Sequence, residues 1–179
     1  MEVIDKLKIF DDNLIKELDK LATNKIEYWD IKSGVGIGTS LDFTDQKSKE
    51  ISSYELIECG IRTFVNGGWG FNVIKDLSKN SIKNGFINAI KLAKLSESMC
   101  KNKFKIKERD PLIKNFKIDA KKKIDDVSIE DKIEQVKVQE KTASNYSSEI
   151  KNTHTIYMDG HGYNLFINSV GSYIYQDLS

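Results

Sequence analysis

Asn66-Gly67 sits between two runs rich in β-branched and aromatic residues, positions 56–65 and 69–74. An Asn-Gly pair in that setting is the strongest short-range hairpin signal, because a type I′ turn needs positive φ at both central residues. On the first arm Ile57, Cys59, Ile61, Thr63 and Val65 share one face, and Gly60, Arg62 and Phe64 the other. On the second arm Trp69, Phe71 and Val73 alternate with Gly70 and Asn72. A turn at Asn66-Gly67 sets Phe64 opposite Trp69 and Arg62 opposite Phe71, giving an aromatic pair and a cation–π pair. A turn at Gly67-Gly68 slips the register and sets Phe64 opposite Phe71. Trp69 is expected to pack against a helix.

A chain of 179 residues suits one domain whose core needs no staples. Charged side chains make up 31% of it but balance to +1, so no overall field favours nucleic acid or a membrane surface. Cys59 and Cys100 form no CxxC or other metal pattern and read as thiols of a reducing compartment. No apolar run approaches the roughly 18 residues of a membrane span. Charges run through residues 1–20, and no signal peptide is visible. A cytoplasmic protein is expected.

Val3, Leu7, Phe10, Leu14, Leu18 and Leu21 recur at steps of three and four, which predicts one amphipathic helix over about 2–22, ended by Thr23-Asn24. Residues 26–38 read as a strand. No helix opens after Gly34, Gly36 and Gly38, as a phosphate-binding loop requires, so these glycines read as a twisted or bulged strand or a close backbone approach. A turn over 44–48 and a short strand over 49–54 lead into the hairpin, making four or five short strands of an antiparallel meander. Ser78 is a good N-cap for a second helix over about 79–96, carried by Ile82, Phe86, Ile90, Ala93 and Leu95. Gly85 within it costs about 1 kcal/mol against Ala, a cost that close packing on the sheet would explain.

Residues 97–123 lose periodicity, and within them 101–123 hold ten basic residues against Glu108, Asp110 and Asp119. Lys101, Lys103, Lys105 and Lys107 alternate with Asn102, Phe104 and Ile106, as in an edge strand guarded by lysines. The alternative for this stretch is a nucleic-acid surface, with Phe104 and Phe116 as stacking groups. Val127 and Ser128 open a third helix with the stripe Ile129, Ile133, Val136, Ala143, Tyr146 and Ile150, and with Lys137 and Glu140 outside. Residues 153–158 and 163–167 read as hairpin arms around Asp159-Gly160-His161-Gly162, followed by a turn at 168–171 and a last strand from 172. The uncharged run 163–175 is expected to leave an edge open to β-addition and self-association. The fold class is α+β: an antiparallel β-meander with helices packed on one face, a third helix and a C-terminal β-hairpin. It forms a single domain over 1–179, with parts at 1–96, 97–126 and 127–179.

No catalytic constellation stands out. His154 and His161 are seven residues apart with Asp159 between them, and nothing in the pattern makes three ligands converge. Cys59 lies inside a strand with no histidine in its motif, and Ser169 is not in a nucleophile elbow. Neither a catalytic residue nor a metal ligand is assigned. Arg62 and Trp69 are the pair that invites a contact role.

The run Cys59-Gly60-Ile61-Arg62-Thr63-Phe64-Val65-Asn66-Gly67-Gly68-Trp69-Gly70-Phe71, followed by a Ser-capped helix, closely resembles the N-terminal region of the TldD/PmbA (TldD/TldE) zinc metallopeptidases, once described as modulators of DNA gyrase. The resemblance runs from about Ile26 onward, through Tyr28-Trp29-Asp30-Ile31, the hairpin, Asp76-Leu77-Ser78 and the stretch 89–94. Ile167-Asn168-Ser169-Val170-Gly171 resembles the family's Asn-Ser-Glu-Gly turn, with Val170 where an acid is usual. The resemblance implies the substrate-guiding, subunit-contacting N-terminal half of an oligomeric peptidase acting on peptides. Arg62, Asn66, Gly67, Gly68, Trp69, Gly70 and Phe71 are its candidate peptide or partner contacts. Zinc belongs, by the same resemblance, to a His-Glu-x-x-x-His helix of the second half, which this sequence lacks. The expected partners are that half, or a TldD- or TldE-type subunit, and a peptide substrate. A non-catalytic nucleic-acid-binding or protein-interaction module is the alternative.

Overall fold

The computed structural model describes residues 3–107, 110–118 and 124–178. A 3-10 helix (Val3–Ile9) precedes α1 (Asp12–Ala22), β1 (Tyr28–Thr44), β2 (Lys47–Val65), β3 (Gly68–Ile74) and α2 (Lys79–Met99). There follow β4 (Ile113–Lys117), a 3-10 turn (Ile124–Asp126), α3 (Ile129–Asn145), β5 (His154–Asn168) and β6 (Tyr173–Asp177). Six strands form a mixed sheet in the order β3-β2-β1-β5-β6-β4, so the class is α+β as expected. β2/β3 and β5/β6 are antiparallel hairpins, and β4 adds to β6 in parallel. Among the described residues no helix is long and apolar enough to cross a membrane.

The hairpin turns at Asn66-Gly67, with φ of 44° and 91°, and the ladder pairs Val65 with Gly68, Phe64 with Trp69 and Arg62 with Phe71. The remaining strands depart from the sequence reading mainly in length. Residues 47–65 form one strand, joined to β1 by the two-residue turn Asp45-Gln46, both at positive φ. The expected turn at 159–162 does not exist, because β5 runs through it. Tertiary contacts outweigh the Asp-Gly turn signal there: the Asp159 carboxylate accepts hydrogen bonds from Thr39 N (3.1 Å) and Tyr157 Oη (2.8 Å). The edge strand expected over 101–107 does not form, and the edge strand is β4, at Ile113–Lys117. The run 163–175 is not an open edge, since β6 is paired on both sides. The single helix expected over 2–22 breaks at Phe10-Asp11, where the Asp11 carboxylate caps α1 by accepting from Leu14 N at 2.7 Å.

Contacts divide the chain into two compact units. The first comprises residues 1–35, 56–117 and 162–178. Its core joins Leu7, Phe10, Leu14 and Leu18 to Trp29, Ile31, Cys59, Ile61, Ile82, Phe86, Ala89, Leu165 and Ile167, so α1 and α2 lie on one face of the strands. Trp29 meets Phe86 edge-on at 5.6 Å and donates its indole N–H to Asp19 Oδ1 at 3.1 Å. α2 rests on β3 through glycine: a Cβ on Gly68 or Gly70 would overlap the α2 backbone at Ala93 and Glu97 or at Ala89 and Ala93. Gly85, facing back from the helix, leaves a Cβ only 3.0 Å from Ile61 Cδ1, which accounts for its place in α2. Trp69 lies on the other face, 39% exposed, contrary to the expectation that it packs under a helix. Alternation decides this: the smallest residues of β3 face the helix, and the aromatic ones face away.

The second unit comprises residues 36–55 and 118–161, with Ser179 outside the described residues. Leu41, Phe43 and Val136 form its small core, packed by Ile133 and Tyr157. Ser128 caps α3, but Tyr146 and Ile150 lie beyond the helix end at Asn145. Glu140, expected on the outside, is fully buried and accepts hydrogen bonds from Gln46 N, Thr153 Oγ1 and Thr155 Oγ1 at 2.9, 2.6 and 2.6 Å. Lys132 pairs with Asp159 at 2.8 Å, both side chains more than nine-tenths buried.

Candidate functional site

In the first unit, the face of β1–β3 opposite the helices carries a groove of about 410 Å³, lined by Asp30, Lys32, Glu58, Gly60, Arg62, Phe71, Val73 and Phe166. Period-two alternation places these side chains together while sending Trp29, Ile31, Cys59 and Ile61 into the core. Arg62 donates from Nε to Asp30 Oδ1 at 2.9 Å and from Nη2 to Asp30 Oδ2 at 2.8 Å. The hydrogen bond to Asp30 raises the guanidinium's pKa. Tyr28, next to the pair, is pushed up to about 12 by burial and by the negative charge of Asp30.

The aromatic neighbours form a chain. Trp69 stands edge-on to Tyr28 at 6.3 Å and tilted on Phe64 at 5.0 Å, and Phe104 lies on Phe64 at 5.2 Å. The cation–π partner of Arg62 is Trp69, at 5.5 Å, and not the directly opposite Phe71. Phe71 instead leans across β2 toward Gly60, where its ring carbon would lie 3.5 Å from an added Cβ. The groove thus offers a fixed, half-exposed guanidinium among exposed aromatic and apolar side chains. Such a surface recognises carboxylate or carbonyl oxygens beside apolar side chains.

The seven contact candidates separate by position. Arg62, Trp69 and Phe71 share the open face. Asn66 and Gly67 form the turn, where Asn66 donates from N to Glu27 Oε1 (3.2 Å) and from Nδ2 to Glu97 Oε1 (3.1 Å). Gly68 and Gly70 lie beneath α2. Asp30 was missed by the sequence reading. Its signal is a carboxylate inside the strand motif Tyr28-Trp29-Asp30-Ile31, which needs a cationic partner once buried.

Cys59 is a buried thiol, pushed up to about 12 by burial, and is suited to packing rather than attack. In the second unit His154 Nε2 lies 3.0 Å from Asp42 Oδ1, and His161 lines a separate groove with Tyr54, Lys132 and Asp159. Among the described residues no group of three His, Cys, Asp or Glu side chains could hold a metal ion. In the basic stretch, Lys103 pairs with Glu97 at 2.6 Å and Lys114 sits over Phe116 at 4.8 Å, while Arg109 and Lys121–Lys123 lie outside the described residues. Phe104 is thereby engaged with Phe64, although it remains partly exposed.

Residues 29–93 match the family model of PmbA/TldA metallopeptidase domain 1. The chain is similar to metalloprotease MJ0996 of Methanocaldococcus jannaschii, with 31% identity over 149 residues, 83% of this chain and 32% of that protein. It therefore spans about a third of the length of this relative. Among solved structures, it is similar to TldE from Thermococcus kodakarensis (TM-score 0.66, 12% identity, 92% of this chain and 36% of that one). It is also similar to a protein from Thermotoga maritima named for modulation of a DNA gyrase (TM-score 0.63, 14% identity, 92% and 36%). At these identities the structural matches establish the fold.

Proposed function

The chain is related to the N-terminal region of the TldD/PmbA family, and from that premise we propose that it serves as the substrate-guiding and subunit-contacting part of a zinc-dependent peptidase. The observation that carries this reading is Arg62, held by Asp30 at two points and flanked by Trp69, in an open groove. Holding the guanidinium in advance lowers the ordering cost of binding an extended peptide or a partner segment. Phe71, Val73 and Phe166 supply the apolar floor against which its side chains lie.

Zinc finds no fitting ligand set among the described residues, so in this proposal the metal and its activated water belong to another half or to a TldD-type subunit. The chain alone is expected to hold no stoichiometric zinc and to cleave no peptide. The working form is a homo- or hetero-oligomer. The two free cysteines and the balanced charge suit the cytoplasm.

The test joins the chain to a zinc-bearing TldD-type subunit and follows cleavage of an unfolded peptide. Arg62→Ala and Trp69→Ala should each raise KM about tenfold with kcat nearly unchanged, as loss of uniform binding requires. Equal KM values for wild type and both variants would remove the groove from the peptide path.

A further inference from the structure

We propose that the groove of the first unit receives both free ends of one short peptide, the terminal carboxylate on Arg62 and Lys32 and the amino group on Glu58. Such end recognition rests on the peptide reading of this groove and narrows it to chain termini.

A guanidinium has two edges on which a carboxylate can sit in a fork. Asp30 takes the Nε/Nη2 edge of Arg62, at 2.9 and 2.8 Å. The edge formed by Nη1 and the second Nη2 proton is left over, on a side chain that is half exposed. As a unit the Arg62–Asp30 pair is neutral, so this edge supplies geometry more than charge. The charge comes from Lys32, two residues beyond Asp30 on the same face of β1 and in the same groove. Lys32 is exposed, and among the described residues nothing pairs with its ammonium.

Glu58, Gly60 and Arg62 follow one another on this face of β2. Gly60 puts no side chain between its neighbours, and the Phe71 ring leans over it, 3.5 Å from where a Cβ would stand. The gap is therefore an open trough, with an acid at one end and cations at the other. Its two ends are about 13 Å apart along the strand, at ~3.3 Å per residue, which is the span of about four extended residues. Glu58 is exposed too, and among the described residues its carboxylate has no partner. Phe71, Val73 and Phe166 border the trough with apolar surface for the side chains between the ends.

An internal stretch of a longer chain brings neither an ammonium nor a terminal carboxylate, and leaves Glu58 and Lys32 unmatched. An acidic side chain engages one end of the trough only. A short peptide with free termini, oppositely charged at neutral pH, matches both ends at once.

Calorimetric titration of the chain with the tetrapeptide Ala-Ala-Ala-Phe, at neutral pH and low salt, tests the proposal. The peptide is used with both ends free, N-acetylated, C-amidated and blocked at both ends. Amidation should weaken binding at least tenfold, and acetylation about threefold or more. Lys32→Met should shrink the amidation penalty alone, and Glu58→Gln should abolish the acetylation penalty alone. Both positions are exposed, and far-UV circular dichroism checks that each variant is folded. Binding that ignores both blocking groups but is lost in Arg62→Ala overturns end recognition and keeps the groove on the peptide path. Binding of no form, or binding indifferent to Arg62→Ala, removes the groove reading and the proposal with it. Penalties that Lys32→Met and Glu58→Gln leave untouched place the termini elsewhere and overturn the proposal. So does an amidated peptide ending in Glu that binds as tightly as the free acid, since it assigns the cationic end to acidic side chains.

Discussion

Arg62 reaches from β2 to Asp30 on β1 as a lid: the arginine side chain is 51% exposed and the carboxylate beneath it only 3%. The burden of the pair therefore falls on the buried member. Removing the lid with Arg62→Ala leaves a buried acceptor short of its partner, at a cost of about 1–3 kcal/mol. Arg62→Lys should recover only part of this, since an ammonium cannot reproduce the two-point fork. Urea unfolding of the three proteins measures the difference, and identical midpoints would mean that water replaces the guanidinium without loss.

Trp69 and Phe64 are in ring contact but should respond differently to truncation. Phe64 is wholly buried, and Phe64→Ala should cost about 3–5 kcal/mol. Trp69→Ala loses a half-exposed ring with one cation–π and two aromatic contacts, worth about 1–2 kcal/mol together. Thermal melts of the two variants give the order, and a larger loss for Trp69 would contradict its open-face position.

Three glycines of the hairpin predict two outcomes. Gly70→Ala and Gly68→Ala place a methyl group in the α2 backbone and should cost about 1–3 kcal/mol or more by overpacking. Gly60→Ala meets only ordinary contact with the Phe71 ring at 3.5 Å and should change stability by about 0.5 kcal/mol or less. Chemical denaturation reads all three, and a neutral Gly70→Ala would show that the helix can lift away.

Acid should loosen the second unit. Burial by itself raises the Glu140 pKa, but hydrogen bonds from Thr153, Thr155 and Gln46 N hold it below the usual 4.5. Burial likewise opposes, and Lys132, Tyr157 and Thr39 N outweigh, at Asp159, whose pKa lies below 3.8. A depressed folded pKa stabilises fully above the unfolded value, and that contribution disappears as pH falls through the folded one. Hydrogen-exchange protection of α3 should therefore hold at neutral pH and fall from about pH 4.5 downward. Glu140→Gln should weaken α3 already at neutral pH and flatten its acid response. Protection independent of pH down to the range below 3.8 would argue against this account.

The hairpin was legible because each of its cues is local: Asn66-Gly67 sets the turn, the turn sets the register, and alternation sets the faces. Ser78 and Ser128 as helix caps were legible for the same reason. The features missed at Asp159, Glu140 and Asp30 depend on partners distant in the chain. Asp159-Gly160 looks like a turn until Thr39, Tyr157 and Lys132 hold the aspartate within a strand. Glu140 looks like a surface residue until three donors from Gln46, Thr153 and Thr155 surround it. At the site, Arg62 and Trp69 announced themselves, but the buried Asp30 that orients Arg62 could be identified only when β1 lay beside β2. Which face of β3 received the helix turned on Gly68 and Gly70, the first weighed in the sequence as a turn residue and the second as a strand position, and both used in the fold for clearance.

That clearance has a mechanical side. Where α2 crosses β3, main chain lies against main chain at Gly68 and Gly70, with no side chain between them to rotate and take up a displacement. Helix and strand meet there without a compliant layer of side chains, and the same strand carries Trp69 and Phe71 on its far face.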